Sequence, residues 1–152
     1  MSSHEPQDFV FWREHNSRKA SRDHVKPTPT FLTEKSYYYL ATPYAKLDRE
    51  QAYEDACRMY ALLLEKDIFV YCPIAQNHGS AKYISKENVE SHLFWLHHDF
   101  KFLSIAKGLI VCKMPGWEES VGVAAEIEFA KKNNIPTFYT GYLEVPDFNV
   151  SK

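Results

Sequence analysis

Apolar residues after position 36 are grouped into four short runs that are separated by longer segments. Runs of this length, rich in β-branched and aromatic residues and bounded by Pro or Gly, are typical of buried strands. The predicted strands are 36–42, 68–72, 108–112 and 136–140. They lack a clean alternation of apolar and polar residues, so we expect both faces of the sheet to be covered.

The segments between the predicted strands carry helical spacing. In 48–66 the apolar positions recur every three or four residues, at Ala52, Ala56, Met59, Tyr60 and Leu63. We predict further helices over 86–105 and from about 116 to 134, whereas the polar segment 73–85 is predicted to be a long loop. Strand alternating with helix predicts an α/β fold, a small Rossmann-like or flavodoxin-like three-layer sandwich with a parallel sheet of about four to five strands.

One domain is expected for 152 residues, because this length supports a single core. We place it at 36–142, after a flexible polar arm at 1–35 and before a C-terminal tail at 143–152. The arm carries several basic residues: Arg13, Arg18, Lys19, Arg22 and Lys26. It is either a solvated tail or a basic arm that reaches a partner subunit or a polyanion, and its aromatic residues keep the second interpretation open.

Composition narrows the classes of function. A formal net charge of -2 with 25% charged residues lacks the basic footprint of a nucleic-acid binder, so no nucleic-acid partner is expected. Three cysteines, odd in number and set among apolar residues, indicate reduced thiols in a cytoplasmic protein. No apolar run has the length of a membrane span, and neither a metal nor another cofactor is expected.

Polar residues cluster after the predicted strands, where ligands bind in parallel α/β sheets. Ser120 can cap the helix that follows the third strand, and the free N–H groups of its first turn form a site for a phosphate. Gly122 leaves the backbone open to a ligand, and Glu126 lies one turn further along the same face. The alternative for Glu126 is a carboxylate that faces water, as we predict for Glu128.

A second carboxylate, Asp99, borders the apolar face of the predicted helix 86–105. Partial burial favours the protonated form of a carboxyl group, which suits a general acid, although a plain surface aspartate is the alternative. The nearby His92, His97 and His98 match no zinc spacing. Two carboxylates and a helix terminus suited to phosphate favour glycosyl chemistry, in which one carboxylate is the nucleophile and the other protonates the leaving group.

The chain resembles the nucleoside 2-deoxyribosyltransferase superfamily over roughly residues 36–140. The resemblance is carried by Ser120-x-Gly122-x-x-x-Glu126, by Asp99 on the preceding helix and by Tyr-Leu-Ala-Thr-Pro-Tyr at 39–44. It implies that Glu126 is the nucleophile at C1′ of the sugar and that Asp99 helps to protonate the departing base. By the same resemblance, Tyr39 and Tyr44 help to hold the glutamate and the sugar.

The details of the motif bear on the substrate. Ser-x-Gly is similar to the 2′-deoxynucleoside 5′-monophosphate N-glycosidases, whereas transferases of unphosphorylated nucleosides tend to carry Asp-x-Gly-Thr. A little-described subfamily shares Tyr-Leu-Ala-x-Pro-Tyr and Pro-Gly-Trp-x-x-Ser-x-Gly with this chain. The chain departs from most relatives at Thr42-Pro43, where they have Gly followed by Ser or Pro, and at Lys107-Gly108, where they often have Ala-Asp.

The expected function is hydrolysis of the N-glycosidic bond of a (deoxy)ribonucleoside 5′-monophosphate through a glycosyl-glutamate intermediate. The alternatives are a deoxyribosyltransferase, a phosphoribohydrolase and a non-catalytic nucleotide sensor. The resemblance also implies a homodimer or larger homo-oligomer. Substrate contacts are expected from the loop after strand one and from the 73–85 segment, namely Thr42, Pro43, Tyr44, Asn77 and His78. The base is expected to stack on an aromatic residue, either Trp117 or Tyr44.

Overall fold

A computed structural model of the protein describes residues 37–44 and 48–150. The arm predicted for 1–35 lies outside the described residues. The strands are β1 (Tyr38–Ala41), β2 (Val70–Tyr71), β3 (Gly108–Cys112) and β4 (Thr137–Thr140). The helices are α1 (Arg49–Glu65), α2 (Pro73–Ala81), α3 (Lys86–Glu90), α4 (His92–Ile105) and α5 (Val121–Lys132). Within the described part of the chain, no helix is both long and apolar enough to cross a membrane.

The four strands form one parallel sheet in the order β2-β1-β3-β4. In the central pair Tyr39 is level with Leu109, and in the next pair Leu109 is level with Thr137. The chain leaves β1 towards β2 on one side and later returns to place β3 on the other side. The carboxyl ends of β1 and β3 therefore flank the point where the strand order reverses, which is where open α/β sheets bind ligands.

Successive residues of each central strand point to opposite faces of the sheet, and each face has its own core. The first core packs under α4 and α5 and includes Tyr39, Ala41, Leu103, Leu109, Val111, Val123 and Ala130. The second packs under α1 and includes Leu40, Ala56, Met59, Leu63, Ile110 and Cys112. Helices on both faces of a parallel sheet confirm the predicted α/β three-layer fold.

Two predictions of local structure were wrong. The segment predicted as a loop at 73–85 contains helix α2, because Pro73 occupies the first helical position, where its missing N–H costs nothing. The helix predicted over 86–105 is interrupted at Ser91, which has extended backbone angles and whose hydroxyl accepts a hydrogen bond from Phe94 N at 3.2 Å. Ser91 thus ends α3 and caps α4.

The segment after β4, predicted as a tail, packs beside the amino end of the sheet. Phe148 stacks on Tyr38 with 4.5 Å between ring centres, and the edge of its ring meets Phe138 at 5.2 Å. Gly108 lies beneath these rings, since a Cβ at this position would be 3.0 Å from carbon atoms of both Tyr38 and Phe138. The absence of a side chain at Gly108 therefore allows the rings to approach β3.

Gly108→Ala is expected to destabilise the fold by about 1–3 kcal/mol, because the added methyl group forces the packed rings apart. Gly79→Ala in α2 is the matched control: a Cβ there meets nothing within 4 Å, and alanine favours a helix over glycine by about 1 kcal/mol. Chemical denaturation of both variants measures the difference. Equal effects of the two substitutions would show that the rings leave room at Gly108.

Candidate functional site

A cavity of about 270 Å³ opens at the carboxyl ends of β1 and β3. This volume is just below the range of roughly 300–1,000 Å³ for small-molecule sites, which suits a compact metabolite. Most of the residues predicted for the site line it: Thr42, Tyr44, Asn77, His78, Asp99, Ser120, Gly122 and Glu126. The structure therefore brings these predicted residues together at one cavity on the carboxyl edge of the sheet.

Glu126 faces the cavity from the second turn of α5 and is only 7% exposed. The hydroxyl of the fully buried Tyr39 donates a hydrogen bond of 2.6 Å to its Oε1. Burial raises the pKa of Glu126 to about 8, against the stabilising hydrogen bond from Tyr39 and with a smaller contribution from the negative charge of Asp99. The Tyr39 contact orients the carboxyl group and leaves Oε2 for a ligand.

Asp99 lines the same cavity from α4. Its Oδ1 is buried without a hydrogen-bond partner, and burial raises the pKa of this carboxyl group to about 7. Repulsion between two nearby carboxylates acts on both, so ionisation of either one raises the pKa of the other. The pair therefore retains a proton near neutral pH, and such a pair can divide acid and nucleophile roles.

Thr42 supplies another unsatisfied polar atom at the cavity. The residue is 8% exposed, and its Oγ1 is buried without a hydrogen-bond partner. The Thr42 hydroxyl lies close to the Cys72 sulfur, but sulfur is only a weak hydrogen-bond acceptor. Because buried polar groups are rarely left unpaired, Thr42 Oγ1 and Asp99 Oδ1 point to a polar ligand in this space.

The amino end of α5 borders the cavity through Ser120 and Gly122. Ser120 is the N-cap, as predicted, and its Oγ accepts a hydrogen bond of 3.3 Å from Val123 N. A Cβ at Gly122 would meet only Ser120 Oγ, at 3.9 Å, so the space beside this glycine is open. The prediction for Glu128 is confirmed as well, because it is exposed and pairs with Lys132 Nζ at 2.7 Å.

Asn77 and His78 line the cavity from helix α2 rather than from a loop. His78 Nδ1 lies 2.9 Å from the Tyr44 hydroxyl. Asn77 Nδ2 donates a hydrogen bond of 3.3 Å to the Tyr71 hydroxyl, which leaves the amide oxygen for other partners. The helix holds both side chains in place more firmly than a loop would.

Three of the predicted site residues do not line the cavity. Tyr39 acts on it only through Glu126, and Pro43 is buried. Trp117, expected to stack on a base, packs against the core beneath α4 and α5, with 6.0 Å between its ring centre and that of Tyr139. The expectation for Trp117 was wrong, because this residue does not line the cavity, whereas Tyr44, the other residue expected to stack on the base, does. The turn before Trp117 has Gly116 at φ 86°.

Trp95, which was not predicted to take part in the site, supplies an aromatic wall of the cavity. Its indole Nε1 donates a hydrogen bond of 3.0 Å to Val89 O, a carbonyl close to the interruption between α3 and α4. Trp95 precedes Asp99 by four residues, so the two share a helix face. That spacing was visible in the sequence and could have identified this tryptophan.

Several other residues that line the cavity were not predicted as site residues from the sequence: Arg49, Pro73, Ile74, Glu90, His92 and Leu96. Arg49 begins α1, and its guanidinium carbon lies 5.8 Å from the centre of the Tyr44 ring. It places a permanent positive charge beside the cavity, which favours an anionic ligand. Among the residues that the structure describes, no three His, Cys, Asp or Glu side chains gather in a group that could hold a metal ion.

Comparison with known proteins adds a family to this geometry. No curated protein matches the sequence. A family model described as "Domain of unknown function (DUF1937)" matches residues 36–141. The match contains β1 to β4 and the lining residues of the cavity. Because it covers more than half of the 152 residues, the chain belongs to this family of unknown function.

Proposed function

We propose that the protein hydrolyses the N-glycosidic bond of a (deoxy)ribonucleoside 5′-monophosphate and releases the free base and the sugar 5-phosphate. The observation that carries the proposal is Glu126, a buried carboxyl group that Tyr39 orients at 2.6 Å in a cavity shared with Asp99. Burial of a carboxyl group destabilises a fold, so a carboxyl group that stays buried is expected to have a functional role. Nucleophilic attack on an electrophilic carbon is a role that a buried, oriented carboxylate can perform.

In the first step Glu126 Oε2 attacks C1′ of the sugar, and the bond between C1′ and the base nitrogen breaks. The bonding electrons move to the base, which takes a proton from Asp99 as it leaves. Glu126 is then joined to C1′ as an ester. The hydrogen bond from Tyr39 to Oε1 stabilises the carboxylate form of Glu126 before the attack and fixes its orientation.

In the second step Asp99 is ionised and accepts a proton from water, whose oxygen attacks C1′. The ester bond breaks, and the carboxylate of Glu126 leaves with its electron pair. Asp99 is protonated again, so both carboxyl groups return to their starting states.

The two ends of the substrate have different surroundings in this proposal. The amino end of α5, with its free N–H groups and the open space at Gly122, receives the phosphate. The base lies against Trp95, whose ring is fixed by its bond to Val89 O, and within reach of Asp99. Asn77 offers its amide oxygen, and Arg49 attracts the anionic substrate into the cavity.

A panel of ribonucleoside and deoxyribonucleoside monophosphates tests the function. Each is incubated with the protein, with and without a second free base, and release of the base is followed by chromatography. Release without an acceptor base supports hydrolysis, whereas release that requires the acceptor identifies a deoxyribosyltransferase. Tight binding of a monophosphate with no release in either condition would overturn the enzymatic proposal in favour of a sensor.

Gly122→Ala is expected to weaken monophosphate binding by about tenfold or more, because its methyl group enters the space proposed for the phosphate and tenfold corresponds to 1.4 kcal/mol. The same substitution should stabilise the free protein by up to about 1 kcal/mol, because alanine favours the helix. Calorimetric titration and chemical denaturation measure the two effects. Unchanged affinity in a stabilised variant would place the phosphate away from α5.

The proposal includes the cellular setting. The three cysteines at 57, 72 and 112 are free thiols, which supports a reducing compartment and a cytoplasmic protein. The ligand is a free nucleotide rather than a nucleic acid or a membrane lipid. By resemblance to the deoxyribosyltransferase superfamily we propose a homodimer or a larger homo-oligomer, and light scattering coupled to gel filtration measures this state.

A further inference from the structure

A chain of three polar side chains runs from solvent to the cavity wall at Tyr44. His78 Nε2 lies 3.0 Å from Glu50 Oε1, and His78 Nδ1 lies 2.9 Å from the Tyr44 hydroxyl. Tyr44 and His78 line the cavity, but Glu50 does not, and the Glu50 side chain is 81% exposed. Both ring nitrogens of His78 thus have partners, and the chain meets the ligand through Tyr44.

The imidazole ring of His78 is held in one orientation. Tyr53 stacks on it with 4.2 Å between ring centres and 12° between the planes, and the Tyr44 ring meets it at 85°. Rotation of the imidazole would break this stacking as well as both hydrogen bonds. The charged groups beside the ring come from α1, namely Glu50 at Nε2 and Arg49 next to the Tyr44 ring.

These contacts determine where the hydrogen atoms lie. An ionised carboxylate accepts hydrogen bonds and donates none, so the ring nitrogen that faces Glu50 must carry a hydrogen. In the neutral imidazole Nδ1 is then an acceptor, and the Tyr44 O–H points towards it. The cavity is left with the lone pairs of the Tyr44 oxygen.

We infer that Glu50 and His78 are positioning residues that set the Tyr44 hydroxyl as a hydrogen-bond acceptor for a hydroxyl group of the bound sugar. The identity of this ligand group rests on the proposed function. Asp99 must face the base in order to protonate it, whereas Tyr44 is on the loop after β1 together with Thr42, another cavity residue. A sugar hydroxyl is the donor that this loop would meet.

The direction of the hydrogen bonds can be tested without substrate. Nitrogen-15 NMR of the imidazole distinguishes its two neutral tautomers, and His78→Gln identifies the His78 signals. We expect the hydrogen on Nε2 in the wild-type protein and a shift towards the Nδ1–H tautomer in Glu50→Gln, because a glutamine amide can also donate. Glu54→Gln, an exposed position one turn further along α1, should leave the signals unchanged. A wild-type Nδ1–H tautomer would overturn the inference, whether or not the protein is an enzyme.

The effect on the ligand is tested by coupling between two substitutions. Tyr44→Phe should weaken binding of the best monophosphate of the panel by about tenfold, or 1.4 kcal/mol, because one hydrogen bond to the ligand is lost. The loss of affinity caused by Tyr44→Phe should disappear for an analogue that lacks the sugar hydroxyl bound by Tyr44. The 2′-deoxy and 3′-deoxy forms of the monophosphate are compared to identify this hydroxyl. Glu50→Gln should weaken binding in the wild-type protein but not in Tyr44→Phe. An equal loss of affinity from Glu50→Gln in the wild-type protein and in Tyr44→Phe would refute the proposed action of Glu50 through Tyr44. Failure of every monophosphate to bind would refute the proposed function but would not affect the tautomer result.

Discussion

Glu126→Gln is expected to lower kcat by about 10³-fold or more, because an amide oxygen cannot form the glycosyl ester that the carboxylate forms. The substitution preserves the shape of the side chain, and the Tyr39 hydroxyl can still donate to Oε1. Binding of a monophosphate should therefore change much less than turnover. Single-turnover release of the base and calorimetric titration measure the two quantities, and wild-type rates in this variant would disprove the nucleophile assignment.

The same substitution should stabilise the protein, and by more at high pH. The pKa of Glu126 rises from 4.5 in the unfolded reference to about 8 in the fold, so the folded state prefers the protonated form. Stability that the wild-type protein has below pH 4.5 is lost as the pH rises towards 8, since only the unfolded chain gives up the proton readily. Glutamine has no such proton, and its advantage should reach the order of a few kcal/mol near pH 8.

Denaturation of the wild type and Glu126→Gln at pH 5 and pH 8 tests the effect on stability. Glu128→Gln is the matched control on the same helix, because that residue is exposed and pairs with Lys132 at 2.7 Å. It should change stability little at either pH, as surface ion pairs contribute little. An equal gain for Glu126→Gln at the two pH values would show that the glutamate is not destabilised by burial. A gain in stability together with a loss of turnover is the trade-off expected when an active site contains a buried carboxyl group.

The parts of the site within one element were predictable. Helical periodicity relates Ser120, Gly122 and Glu126 to each other without knowledge of the rest of the fold, and the structure places all three at the cavity. The parallel sheet followed from the apolar strands, and its topology brings the carboxyl ends of β1 and β3 together. Tyr39 was expected beside the glutamate only by the resemblance to the deoxyribosyltransferase superfamily, and in the structure its hydroxyl donates a hydrogen bond to Glu126.

Other features of the fold and the site could not be predicted, because they depend on contacts between elements or on residues whose local role is ambiguous in the sequence. A proline can end a strand and also start a helix, so Pro73 concealed α2. The position of the tryptophans depends on packing between elements: Trp117 packs against the core near Tyr139, whereas Trp95 lines the cavity and donates to a carbonyl of α3. The unpaired oxygens of Thr42 and Asp99 could be recognised only after packing was known, because burial is a property of the assembled layers.

Asp99→Asn is expected to lower turnover by about 10²–10⁴-fold, the usual contribution of a general acid. The loss should be largest for substrates whose bases leave poorly, since these depend most on protonation. An asparagine cannot supply the proton but preserves the size of the side chain. Comparison of substrates with good and poor leaving groups measures the difference, and an equal loss for all bases would argue against an acid role for Asp99.

The pH dependence provides a second, independent test of Asp99. Activity requires Asp99 protonated, with its pKa raised to about 7, and Glu126 ionised, with its pKa raised to about 8. Turnover should rise with pH as Glu126 loses its proton and fall as Asp99 loses its own, giving a narrow maximum between about 7 and 8 that belongs to the pair.

In Asp99→Asn the fall at high pH should vanish. The rise should move to higher pH, because in the wild-type pair it follows the first proton lost by either carboxyl group, whereas in the variant it follows Glu126 alone, whose pKa is the higher of the two. A variant that kept the fall at high pH would place the acid on another residue. A variant whose rise did not move would show that Asp99 does not lose its proton in the pH range of Glu126.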